Sequence, residues 1–118
     1  MAQSTLKILV VDDDPDVLAT TAGQLAELGY TVLKADGGRE ALKLLQTHPD
    51  IALLFTDIVM PNNIDGFDLA ERARQLRPGL RVLYMSGYLR NEGIWHGSLL
   101  PKPWQPRDLD EAVKNALA

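Results

Sequence analysis

The sequence predicts a doubly wound α/β domain built on a parallel sheet, and three observations carry that prediction. Apolar runs of strand length alternate with segments of helical period from one end of the chain to the other. Five such pairs fit within 118 residues. Carboxylate, hydroxyl and ammonium side chains collect just after the apolar runs, where the ligand sites of such sheets lie.

The elements follow in order. Leu6-Lys7-Ile8-Leu9-Val10-Val11 is a short β-branched run, the pattern of a strand buried on both faces. Asp14-Pro15 comes next, an N-cap candidate with proline at the first helical position. Val17, Leu18, Thr21, Leu25 and Leu28 recur at helical spacing, and Gly29 is the natural stop. Tyr30 to Ala35 reads as a second strand, broken by Gly37-Gly38. Ala41, Leu42, Leu44 and Leu45 mark a second helix that ends before Pro49. Ile51 to Thr56 is the most hydrophobic run in the chain, which places it centrally in the sheet. Pro61 to Asp65 is a loop, and Phe67, Leu69, Ala70, Ala73 and Leu76 give a third helix its face. Arg81 to Met85 is a strand after the Pro78-Gly79 turn. Leu89 to His96 is assigned a fourth helix, with Gly93 inside it. Leu99-Leu100 is a short fifth strand, and Pro106 starts a last helix through Leu109, Ala112, Val113 and Leu117. Right-handed crossovers and the chain length favour the flavodoxin-like strand order 2-1-3-4-5. No linker, low-complexity segment or sequence repeat interrupts the rhythm, so residues 1–118 are expected to form one domain.

Composition narrows the function classes. Hydrophobic residues make up 46% and charged ones 24%, an ordinary globular balance. The formal charge of -4 argues against direct nucleic-acid binding, because there is no basic excess to neutralise phosphates. With no cysteine, disulfides, thiolate catalysis and cysteine-ligated zinc are excluded. The first apolar run is too short for a signal sequence, and no stretch approaches the roughly 20 apolar residues of a membrane helix. A cytoplasmic protein with no membrane insertion is expected.

The chemistry sits at the strand ends. Asp12-Asp13-Asp14 follow the first strand, Asp57 the third, Ser86-Gly87 the fourth and Lys102-Pro103 the fifth. In the order 2-1-3-4-5 these four strands are neighbours, so their terminal residues converge on one edge. Clustered carboxylates repel one another and call for a compensating cation. Magnesium, with few carboxylates plus water and phosphate oxygens, is the usual answer. A carboxylate beside such an ion can attack phosphorus and form an acyl phosphate. The ion, the Lys102 ammonium and the Ser86 hydroxyl could each stabilise one equatorial oxygen of the transferred group.

Plainer roles account for several of these residues taken singly. Asp14, followed by proline, suits a helix cap better than a ligand. Ser86 and Lys102 are weak signals alone, since serines end many strands and most lysines are solvated. Pro101-Lys102-Pro103 could be a stiff turn, with the second X-Pro bond a candidate for cis. Asp57 is different: it closes the most apolar run, where a lone charge is costly to desolvate. Met60 and Met85 read as core fillers, His48 and His96 as surface residues. Arg72, Arg74, Arg77 and Arg81 read as a solvated face.

Ile8 to Pro15, Leu53 to Pro61, Asp65-Gly66, Met85 to Tyr88 and Lys102-Pro103 together resemble the receiver domains of bacterial two-component response regulators, in order and spacing along nearly the whole chain. The resemblance implies that Asp57 is the phosphoacceptor, Asp13 a direct magnesium ligand and Asp12 a ligand through water. It implies that the Val59 backbone carbonyl completes the metal site, and that Ser86 and Lys102 contact the phosphoryl group. The implied partner is a histidine kinase or histidine phosphotransfer protein. The domain would assist its own phosphorylation and dephosphorylation without being an enzyme on external substrates. Ser86-Gly87-Tyr88 and Leu100-Pro101-Lys102-Pro103-Trp104 are most similar to receivers attached to hybrid histidine kinases. Three departures from the family pattern stand out: the loop from Pro61 to Asp65, carrying Asn62-Asn63-Ile64, is one residue longer than is common, Leu99 replaces a switching Tyr or Phe, and Trp104 replaces Phe.

Three other functions compete. Asp12 and Asp14 have the Asp-x-Asp spacing of a haloacid-dehalogenase-like phosphatase, which also needs a cap or larger core and a later acidic pair that are not found here. A toprim-like metal-binding domain fits less well. A degenerate receiver used only for docking would lack the acceptor, the acidic pair or the lysine, and all are present. With no effector after Ala118, the domain is expected either to work alone or to have been cut from a longer protein.

Overall fold

The computed structural model describes residues 6–61, 64–87 and 98–118. The chain runs β1 (Lys7–Val11), α1 (Pro15–Glu27), β2 (Thr31–Ala35), α2 (Gly38–Thr47), β3 (Ile51–Asp57), α3 (Gly66–Leu76), β4 (Arg81–Ser86), β5 (Ser98–Pro101) and α4 (Pro106–Leu117). The five strands form one sheet in the order β2-β1-β3-β4-β5, and every neighbouring pair is parallel. The expected order is thus observed, with the most apolar run at its centre. The fourth expected helix, from Leu89 to His96, lies outside the described residues, as do Tyr88, Asn62 and Asn63.

The period-two alternation of each buried strand divides the core into two layers. Leu9, Val11, Leu54, Val82 and Tyr84 face α2 and α3, where Ala41, Leu45, Leu69, Ala70 and Ala73 cover them. Ile8, Val10, Leu53, Phe55, Leu83 and Met85 face the other way, onto Leu18 and Leu25 of α1 and Leu109 and Val113 of α4. Met60 and Met85 are both buried, as core fillers should be.

Helix ends follow their residues. Asp14 caps α1 by accepting hydrogen bonds from the Asp16 and Val17 N–H groups at 3.0 and 3.3 Å. Gly29 leaves that helix at φ 101°, a left-handed conformation suited to glycine. Asp65 caps α3, accepting from Asp68 N–H at 2.9 Å.

Some side-chain expectations are corrected. Leu28, Phe67 and Leu76 are exposed: each falls at the end or margin of the stripe that its helix turns to the sheet. Arg77 and Arg81 are not a free solvated face. Arg77 donates to the Ile51 carbonyl at 2.7 Å, and Arg81 donates to the Ala116 and Ala118 carbonyls at 3.0 and 2.6 Å. They tie the N-terminal ends of β3 and β4 to neighbouring segments. His48 is half-buried and closes α2, its Nδ1 lying 3.2 Å from the Leu44 carbonyl.

Candidate functional site

The ends of β1, β3, β4 and β5 place the expected residues at one edge of the sheet. One carboxylate oxygen each from Asp12, Asp13 and Asp57 lies within 4.8 Å of the other two. Asp12 and Asp57 are buried, at 1% and 8% exposure, whereas Asp13 is half-exposed. Asp14, engaged in its cap, stands outside this group. Lys102 reaches in from the end of β5, its Nζ 3.0 Å from Asp57 Oδ2 and 3.1 Å from Asp12 Oδ2.

Backbone contacts fix these positions. Asp12 N–H donates to the Ala35 carbonyl at 3.2 Å, and the Asp12 carboxylate accepts from Asp14 N–H at 2.9 Å. Ile58 N–H donates to the Met85 carbonyl at 3.1 Å, which holds the chain leaving Asp57 against β4. Lys102 N–H donates to the Ser86 carbonyl at 2.8 Å, bringing the serine and the lysine side by side. Ser86 itself is buried at the end of β4. The Lys102-Pro103 peptide is cis, as the sequence allowed.

Val59 is 57% exposed beside the site. Its backbone N–H lies near enough to the Asp57 carboxylate to favour the charged form slightly.

The electrostatics leave the site short of positive charge. Burial pushes the Asp57 carboxyl above the ordinary aspartate range and the Asp12 charge adds to this, while Lys102 and the Val59 N–H oppose the rise. Burial also works against the Lys102 ammonium, but its bonds to Asp57 and Asp12 prevail and its pKa stands above that of an ordinary lysine. With all three carboxylates ionised, one ammonium leaves the group two negative charges in excess. An all-oxygen donor set with uncompensated negative charge suits a small hard divalent cation.

Two contributions escaped the sequence reading. Gly66 was read only as part of a motif, yet a Cβ there would lie 2.8 Å from the Ile58 Cα and closer still to the Asp57 carbonyl oxygen. The glycine lets α3 begin against the backbone of the acceptor candidate, and its N–H donates to the Ile58 carbonyl at 2.8 Å. Gln24 carried no signal at all, but its Oε1 accepts from Trp104 Nε1 at 3.0 Å.

Comparison with known proteins agrees with this geometry. The response regulator receiver domain pattern matches residues 8–114. The response regulator receiver protein CpdR of Brucella abortus is 33% identical over 117 residues, covering 94% of this chain and 96% of that protein. Against two longer relatives the chain spans only 50% and 48% of their length. The receiver domain of the hybrid histidine kinase CckA superposes with a TM-score of 0.82 at 36% identity, covering 95% of this chain and 99% of that one. The response regulator TrrA of Thermotoga maritima, solved in complex with Mg(2+)-BeF, superposes at 0.86 with 29% identity, covering 96% and 100%. Sequence pattern, relatives and strand order all lead to one assignment: the chain belongs to the response regulator receiver domains of two-component signalling.

Proposed function

We propose that this domain accepts a phosphoryl group on Asp57 from a phosphohistidine of a histidine kinase or phosphotransfer protein. The observation that carries the reading is a buried Asp57 held beside Asp12 and Asp13, with Lys102 bonded to it. Asp57 supplies the attacking carboxylate oxygen, forming an O–P bond as the donor's N–P bond breaks and its imidazole leaves. Asp12 and Asp13, with the Asp57 carboxylate and the Val59 carbonyl, would hold Mg²⁺. When bound, that ion offsets the carboxylate repulsion and the charge on the phosphoryl oxygens. Lys102 would swing its ammonium from the carboxylates to a phosphoryl oxygen, and Ser86 would donate its hydroxyl to another. The same residues would assist later hydrolysis, so the domain acts on itself and not on an external substrate. Its setting is the cytoplasm. Among the described residues no helix is long and apolar enough to cross a membrane.

The phosphatase alternative is disfavoured by Asp14, which caps α1 instead of joining the carboxylate group. Treatment with a small acyl phosphate and Mg²⁺, followed by peptide mass spectrometry, tests the proposal. A single base-labile phosphoryl adduct on Asp57 is expected. An adduct on Asp12, or none with Mg²⁺ present, would overturn it.

A further inference from the structure

We infer that Trp104 and Gln24 form a positioning pair that aims the Lys102 ammonium for phosphoryl transfer, an inference that rests on the proposed acceptor role of Asp57. Lysine has a long, rotamer-rich stem, so placing its ammonium depends on how firmly the backbone beneath it is held. Lys102 N–H is tied to the Ser86 carbonyl, which fixes the strand side of the turn. Two residues later the half-buried Trp104 fixes the other side.

The Trp104 indole touches β3, which ends in Asp57, and α1, which follows the acidic pair. Its ring packs on Phe55, with centroids 5.8 Å apart and planes inclined at 38°. Phe55 lies on β3 two residues before Asp57. Its Nε1–H donates to Gln24 Oε1 at 3.0 Å, on the helix that follows Asp12 and Asp13. One side chain therefore links the lysine turn to β3, which ends in Asp57, and to α1, the helix that follows the acidic pair. A phenylalanine would keep a ring against Phe55 but lose the N–H, leaving Gln24 unpaired and the turn freer to shift. A small displacement of a positioned catalytic group is costly to the rate even when the fold persists.

The test uses the full chain, a small acyl phosphate and saturating Mg²⁺, with the rate of Asp57 modification followed by mass spectrometry. Trp104→Phe and Gln24→Leu should each slow modification by about three- to tenfold, the span expected from the net value of one hydrogen bond. Gln24→Glu, which keeps an acceptor oxygen at the same length, should retain the parent rate. Mg²⁺ affinity should be unchanged in all three, because no metal-ligating carboxylate is altered. In a Lys102→Ala background, neither Trp104→Phe nor Gln24→Leu should slow the reaction further, since the group they aim is gone. Parent-like rates in both single variants would overturn the inference. So would equal slowing with and without Lys102, which would make the pair a general structural prop. Modification of an Asp57→Asn chain at the parent rate would instead overturn the acceptor assignment itself.

Discussion

Asp57 is a residue under two opposed demands. Burial raises its pKa, yet attack on phosphorus needs the carboxylate, and Lys102 holds the charged form in place. Asp57→Asn should abolish phosphoacceptance while preserving the fold, and without metal it should raise Tm. The sign follows from linkage: a carboxyl whose folded pKa is raised makes the native state bind its proton more readily than the unfolded chain does. The charged group therefore costs stability above its folded pKa, and the cost fades as pH falls through that value toward the ordinary 3.8. Melting curves in chelator should show the gain of the asparagine variant at neutral pH and its disappearance at acid pH. Val59 bears on a different property. It stands exposed beside the acceptor and offers no group to orient attacking water. Val59→Asn should shorten the acyl phosphate lifetime about tenfold, or about 1.4 kcal/mol of barrier, as measured by loss of the adduct with time. Asp12, Asp13, Asp57 and Lys102 could be read from the sequence because each follows an apolar run and needs only the strand order to converge. The Val59 N–H and the Gln24 amide could not. A backbone donor leaves no mark in residue type, and Gln24 acquires its partner only through the path of a turn 80 residues away.

Elements were legible where burial is two-sided and less so where it is one-sided. The strands buried on both faces declare themselves as unbroken apolar runs, and β3 extends the expected Ile51 to Thr56 by one residue to Asp57. On the helices, Leu28, Phe67 and Leu76 matched the apolar period but fall at the margins of the packed stripe, where apolarity alone does not decide. Phe67 still covers the ring of Tyr84 edge-on at 5.0 Å. The start of α3 is the element boundary most tightly bound to the site. Gly66→Ala should destabilise the chain by about 1–3 kcal/mol, as overpacking does, because the added methyl meets backbone and not a mobile side chain. Denaturant melts would measure the loss, and an unchanged midpoint would mean that α3 can draw back from Asp57 freely. At the opposite end of the sheet, Arg77→Ala should cost about 1–2 kcal/mol by unpairing the Ile51 carbonyl, with no change in phosphorylation rate.

For the whole molecule, three carboxylates and one ammonium concentrate negative charge at one edge of the sheet. Mg²⁺ at a hundredfold excess over its Kd should stabilise the chain by about 2.7 kcal/mol through mass action. Asp13→Ala should remove most of that gain and Asp12→Ala less, and identical melting curves in chelator and in saturating Mg²⁺ would dispose of the metal site. The bonds from Lys102 to Asp57 and Asp12 also span 45 and 90 residues of sequence. Contacts that close such long loops are entropically costly and are not made until the intervening strands have found their places. A nascent chain that stops before β5 thus has its acceptor but not its lysine. On the proposed acceptor reading, competence to take the signal would arrive only with completed folding, and a partly folded chain would carry the carboxylates yet stay silent.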